Sequence, residues 1–198
     1  MNKGSHISLA HFLVDKMDLA DFTSYKKAFI FGSILPDCLP SFLTTRHTMN
    51  ETFELLKAEI SRILENYDKR KGITSYYCRH LGIITHYIAD YFTFPHNPGF
   101  NGSMREHCNY EKELGIDFAE YLQNGKSELF ILRNIRLSSV DEICNFICGM
   151  HEEYLEIPHN IRNDCNYIVN LCRTIVEAIL SLINIKLPLD QTEQIYAA

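Results

Sequence analysis

The segment SYYCRHLGIITHYIADYF, residues 75–92, constrains the fold more than any other part of the chain. Leu81, Ile83, Ile84, Tyr87, Ile88, Ala89 and Phe92 leave a helix here with almost no polar side. A helix that is apolar around its circumference has to be enclosed by other elements, which puts this one in the middle of a helical bundle. Within it, His86 and Asp90 stand four residues apart and so share a face. A carboxylate in such surroundings must be paired or bind a metal, because an isolated buried charge is very costly.

Apolar residues recur at helical spacing through most of the remaining chain. Further helices are expected over about Ser5–Lys16, Ser24–Leu35 (stopped by Pro36), Asn50–Asp68, Ser103–Asn124, Ser139–Leu155 and Asn160–Ile185, the last ending before Pro188. Ser5 is a candidate N-cap, and Thr48–Glu51, Ser103–Glu106 and Ser139–Glu142 have the spacing of capping boxes. Gly72 and Gly125 follow two of the segments, and the loops PDCLPSFLTTRH and TFPHNPGFNG separate others. No run of alternating apolar residues demands a sheet, and no repeat or Pro/Gly-rich linker divides the chain. The expectation is one all-α domain spanning residues 1–198, a bundle of about seven helices.

The net charge of −6, with no long basic run, disfavours nucleic-acid binding through a basic patch. No apolar stretch reaches the length of a transmembrane span without a charged or polar break. The start, MNKGSHISLAHF, lacks the apolar core of a signal peptide, so a cytoplasmic location is expected. The seven cysteines are odd in number and include no CxxC pair, which argues against a disulfide framework and against a thiolate zinc site. Cys144 and Cys148 read as small core side chains.

Histidine is the informative residue. Seven of the nine lie in the first 107 residues: His6, His11, His47, His80, His86, His96 and His107. The spacing of His86 and Asp90 recurs as His107 and Glu111 in REHCNYEKE. His96 stands between them on a loop with Pro95 and Pro98; Asp37 sits upstream in the turn LPDCLP, and His47 precedes the third helix. His6 lies near the chain start. Imidazole and carboxylate on one helix face are common ligands for a divalent transition metal, and a set with only N and O donors suits zinc, less exclusively manganese or iron. Singly, each of these residues has an ordinary structural reading, as core histidine, surface ion pair or turn residue. Two His/acid pairs and a bracketed loop histidine are hard to explain by packing alone. Cations held side by side stabilise both oxygens of a phosphoester displacement. His80, His151 and His159 read as core or capping histidines, and Glu152, Glu153 and Lys69–Arg70–Lys71 as solvated faces.

This order of residues resembles the zinc-dependent phospholipase C family, whose fold is shared with the fungal single-strand-specific nucleases. The residues that carry the resemblance are HxxxD at His86 and Asp90, a histidine six residues beyond at His96, HxxxE at His107 and Glu111, the Pro36–Asp37 turn and a further upstream histidine. The resemblance implies two or three zinc ions. His47, His86 and Asp90 with Asp37 would hold one; His96, His107 and Glu111 a second; His6, with Asp90 bridging, a third. It also implies Asp37 as general base. His11 competes with His6 for the last role. The family completes its third site with the amino group and carbonyl of an N-terminal tryptophan, and this chain has no tryptophan. The activity implied is hydrolysis of a phosphodiester, in the simplest case a phospholipid headgroup ester. A single-strand nuclease, with aromatic residues stacking bases, and a non-catalytic metal-binding protein are the alternatives.

Overall fold

A computed structural model describes residues 1–17, 20–40, 45–124 and 135–183. The helices are α1 (Lys3–Met17), α2 (Ala20–Ser24), α3 (Lys26–Ile34), α4 (Met49–Glu65), α5 (Ser75–Tyr91), α6 (Met104–Asn124), α7 (Val140–Glu156) and α8 (Ile161–Leu182). Two single-turn 3-10 helices, Pro36–Cys38 and Phe94–His96, interrupt them, and no strand occurs among the described residues. The expected Gly125 terminus and the end before Pro188 lie outside the described residues.

α5 occupies the centre, as its composition requires, and packs against α1, α3, α4 and α8. Thr74 caps it, its side-chain oxygen accepting from the Tyr77 N–H at 3.3 Å. Its approach to α3 is unusually close. A Cβ at Gly82 would overlap the Phe29 carbonyl oxygen, and one at Gly32 would overlap the Arg79 carbonyl oxygen. Glycine at both positions therefore lets two helix backbones touch. This contact brings the Ser33 carbonyl beside His86, which bears directly on the site below.

Leu56, Ile60 and Ile63 of α4, Leu114 and Phe118 of α6, Ile143 and Ile147 of α7, and Ile168, Ile175 and Ile179 of α8 complete a single core around α5. α8 is long and apolar enough, by length and composition, to cross a membrane, which the sequence reading did not anticipate. However, 72% of its most apolar window is buried within the bundle, the condition of a core helix.

The helix expected over Ser24–Leu35 is found as α3, Lys26–Ile34, and a short α2, Ala20–Ser24, precedes it unannounced by the sequence reading. Tyr25 breaks them, with φ −107° and ψ 20° and its N–H donating to the Phe22 carbonyl three residues back. Thr23 and Ser24 precede the break; their short polar side chains favour helix ends over interiors. The capping boxes also differ. Ser103 and Glu106 form a reciprocal one, Glu106 Oε2 accepting from Ser103 N–H at 2.7 Å and Ser103 Oγ from Glu106 N–H at 3.4 Å. Ser139 Oγ accepts from Glu142 N–H at 3.1 Å, but the Glu142 carboxylate turns to Ser138. Thr48 makes no side-chain cap; Glu51 accepts from the Arg46 N–H at 2.8 Å instead.

Candidate metal centre

α5 delivers His86 and Asp90 into the centre of the bundle, both essentially fully buried. Pro36, at the first position of its 3-10 turn, fixes the chain so that Asp37 faces the same point from beyond α3. His47, just before α4, approaches from a third direction. Ligand atoms of Asp37, His47, His86 and Asp90 all lie within 4.8 Å of one another. Those of His96, His107 and Glu111 form a second such group, carried by the Phe94–His96 turn and by α6. Asp90 joins the two. Its Oδ2 lies 3.0 Å from His47 Nδ1 and 3.2 Å from His86 Nε2, while Oδ1 lies 4.0 Å from His96 Nε2.

The donor chemistry fits a cation in each group. His86 Nδ1 donates to the Ser33 carbonyl at 2.9 Å, so its Nε2 carries a lone pair. That lone pair faces His47 Nδ1 at 2.9 Å and Asp90 Oδ2. A single proton on His47 Nδ1 serves one of these acceptors and leaves the other opposed to its neighbours. In the second group, His96 Nδ1 donates to the His47 carbonyl at 3.1 Å and turns its Nε2 lone pair toward Glu111 Oε1, also 3.1 Å away. His107 Nε2 approaches the same carboxylate oxygen at 3.1 Å. Lone pairs and carboxylates converging in this way are the arrangement in which structural biology finds divalent metal ions.

His6 is brought to the centre and His11 is not. His6 is buried, stacks on His86 with ring centroids 4.1 Å apart, and places Nε2 3.2 Å from Asp90 Oδ1 without forming a hydrogen bond from either ring nitrogen. His11 is exposed on α1. Although the family resemblance puts an N-terminal amino group at the third site, side-chain spacing gave no sign of the group that accompanies His6, the amine of Met1. It lies 2.6 Å from Asp90 Oδ1, 2.9 Å from Glu111 Oε1 and 2.9 Å from His96 Nε2. It is a main-chain group, so side-chain spacing cannot reveal it.

The local field is strong. Burial, followed by the His86 imidazole, pushes His6 down to about 3. Burial also lowers His96. Burial alone would raise Asp90, but the Met1 amine and the imidazoles of His96, His86 and His6 hold it well below the usual carboxylate range. Glu111 is likewise lowered against its burial, first by the Met1 amine and then by a hydrogen bond from His107. The Met1 amine, which burial would lower, is held up to about 10 by Asp90 and Glu111. Asp37 is the exception among the acids: burial raises it.

A cavity of about 940 Å³ reaches this cluster, and Asp37, His47, His96, His107 and Glu111 line it. Asp90, His86 and His6 are not on its wall. The remaining histidines have other partners. His80 Nδ1 meets Glu59 at 2.5 Å, His151 Nε2 donates to Asn97 Oδ1 at 2.7 Å, and His159 stacks on Phe94.

A family model described as zinc dependent phospholipase C matches residues 5–161. The chain belongs to the zinc-dependent phospholipase C family. Comparison with curated proteins and with solved structures finds no match. The region shared with the zinc-dependent phospholipases C runs from α1 through α7 and contains both donor groups and His6. It ends at Ile161, the first residue of α8. Membership of a zinc-dependent family and two converging His/carboxylate groups together support a zinc phosphoesterase in general terms.

Proposed function

We propose that this chain hydrolyses a phosphodiester, most simply the headgroup ester of a phospholipid. Asp37, His47, His86 and Asp90 hold one zinc ion in this reading, and His96, His107 and Glu111 a second. His6 and the other oxygen of Asp90 offer a third position. The observation that carries the proposal is that both donor groups meet one cavity, so a single phosphate can face both. Zinc so placed supplies positive charge to the phosphoryl oxygens and makes water more acidic.

The chain's own residues account for the rest. Asp37, on the cavity wall beside the first donor group, is suited to take the proton from the attacking water. Lys3 and Arg46, also on the wall, attract an anionic diester. Met49, Phe100, Met104 and Leu155 give the same cavity an apolar side against which a lipid can lie. A nuclease would need a cationic track along a strand. Among the described residues Lys3 and Arg46 are the only Lys or Arg on this wall, so the lipid ester is preferred. A reducing, cytoplasmic setting is part of the proposal; no disulfide is formed among the described residues.

The test is metal analysis followed by turnover of a chromogenic phosphodiester, then of phosphatidylcholine beside single-stranded DNA. Zinc-dependent turnover with the lipid preferred is expected. Bound zinc with no turnover of any diester would leave a metal protein without this activity and overturn the proposal.

A further inference from the structure

Asp164 of α8 lies beyond the region matched to the family and outside both donor groups, yet it is completely buried and fully engaged. Its Oδ2 accepts from the Phe94 N–H at 2.9 Å and from Tyr110 Oη at 2.8 Å, and its Oδ1 from Tyr154 Oη at 2.7 Å. Two of these three donors come from the elements that carry the second donor group. Phe94 opens the single turn that ends in His96. Tyr110 immediately precedes Glu111 on α6 and follows His107 by three residues. Apart from contacts within the donor group itself and those of the Met1 amine, Asp164 is where that turn and α6 are tied to one carboxylate. The first donor group has separate bracing, through the Ser33 carbonyl on His86.

We infer that Asp164 is a positioning residue for the group His96, His107 and Glu111. It fixes the separation between the turn and α6, and so the distance at which His96 meets Glu111. The inference rests on the proposed function, because it treats that group as a metal subsite. The carboxylate matters for a chemical reason. Oδ2 takes two hydrogen bonds while Oδ1 takes a third, and an amide has only one accepting atom. Asp164→Asn must therefore oppose an NH2 either to Tyr154 or to the Phe94 and Tyr110 donors. A purely structural role would lower stability without distinguishing one donor group from the other.

Cobalt(II) titrated into the metal-free full chain, read by bound stoichiometry and visible absorption, separates these cases. The wild type should bind at least two ions. Asp164→Asn should keep the affinity of one site and weaken the other about 10-fold or more. Adding Asp164→Asn to His107→Ala should remove no further ion, whereas adding it to His86→Ala should impair both sites. Val176→Ala, a buried truncation on the same helix, should leave both intact. If Asp164→Asn does not fold, Tyr110→Phe removes the α6 bond alone and should weaken the same single site. A folded variant with both sites unchanged, or both weakened equally, overturns the inference while leaving the proposed function standing. A wild type that binds no ion overturns both.

Discussion

His6 makes the strongest quantitative demand on the protein once metal is removed. Its ordinary value is about 6.5, and burial beside His86 brings it to about 3 in the folded chain. Over that interval the unfolded state binds a proton that the folded state refuses. Stability is therefore complete above the unfolded value and is lost as pH falls from about 6.5 toward about 3. Each unit corresponds to about 1.4 kcal/mol, so lowering the pH to about 4.5 should cost about 3 kcal/mol through His6 alone. Asp90, with its carboxyl held low, adds its own loss only below about pH 4, the ordinary range of an aspartate. The assay is urea unfolding in chelator at about pH 7 and about pH 4.5, wild type against His6→Gln. The other histidines contribute to both proteins and cancel in the difference. The variant should lose about 3 kcal/mol less on acidification. An equal loss in the two proteins would refute the reasoning, since it would mean that His6 is not held neutral by its surroundings.

Asp90→Asn should lower metal content well below that of Glu152→Gln, because Asp90 joins both donor groups and Glu152 is an exposed residue of α7; metal analysis of the two purified variants decides it. Gly82→Ala should destabilise the fold by about 1–3 kcal/mol in chemical unfolding, as the added methyl meets the Phe29 carbonyl and forces α3 from α5. Bound metal should be released on acidification below about pH 6.5, where free imidazoles protonate, as followed by equilibrium dialysis. Chelation should lower Tm, and restored zinc should raise it with concentration, because the ion binds only the assembled site.

The central helix was legible because its composition is apolar on most sides over residues 75–92, which requires neighbours around it. The paired spacings of His86 with Asp90 and His107 with Glu111 were legible for a similar reason, since helical geometry fixes where such pairs point. Other features depend on contacts that spacing does not encode. The break at Tyr25 has neither Gly nor Pro to announce it. Glu51 leaves its expected cap because the Arg46 N–H lies within reach, which only the folded loop makes apparent. The Met1 amine is a backbone group, and its place beside Asp90 depends on how α1 packs. Asp164 meets a main-chain N–H and two tyrosines from three distant segments, so no local pattern marks it. The pairing of Gly32 and Gly82 across two helices is of the same kind.

The most direct measurement is anomalous scattering at the zinc edge from crystals of the zinc-loaded protein. Strong peaks are expected within reach of His47, His86, Asp90 and Asp37, and of His96, His107 and Glu111. Zinc-soaked crystals with no peak among either set of side chains would contradict the account.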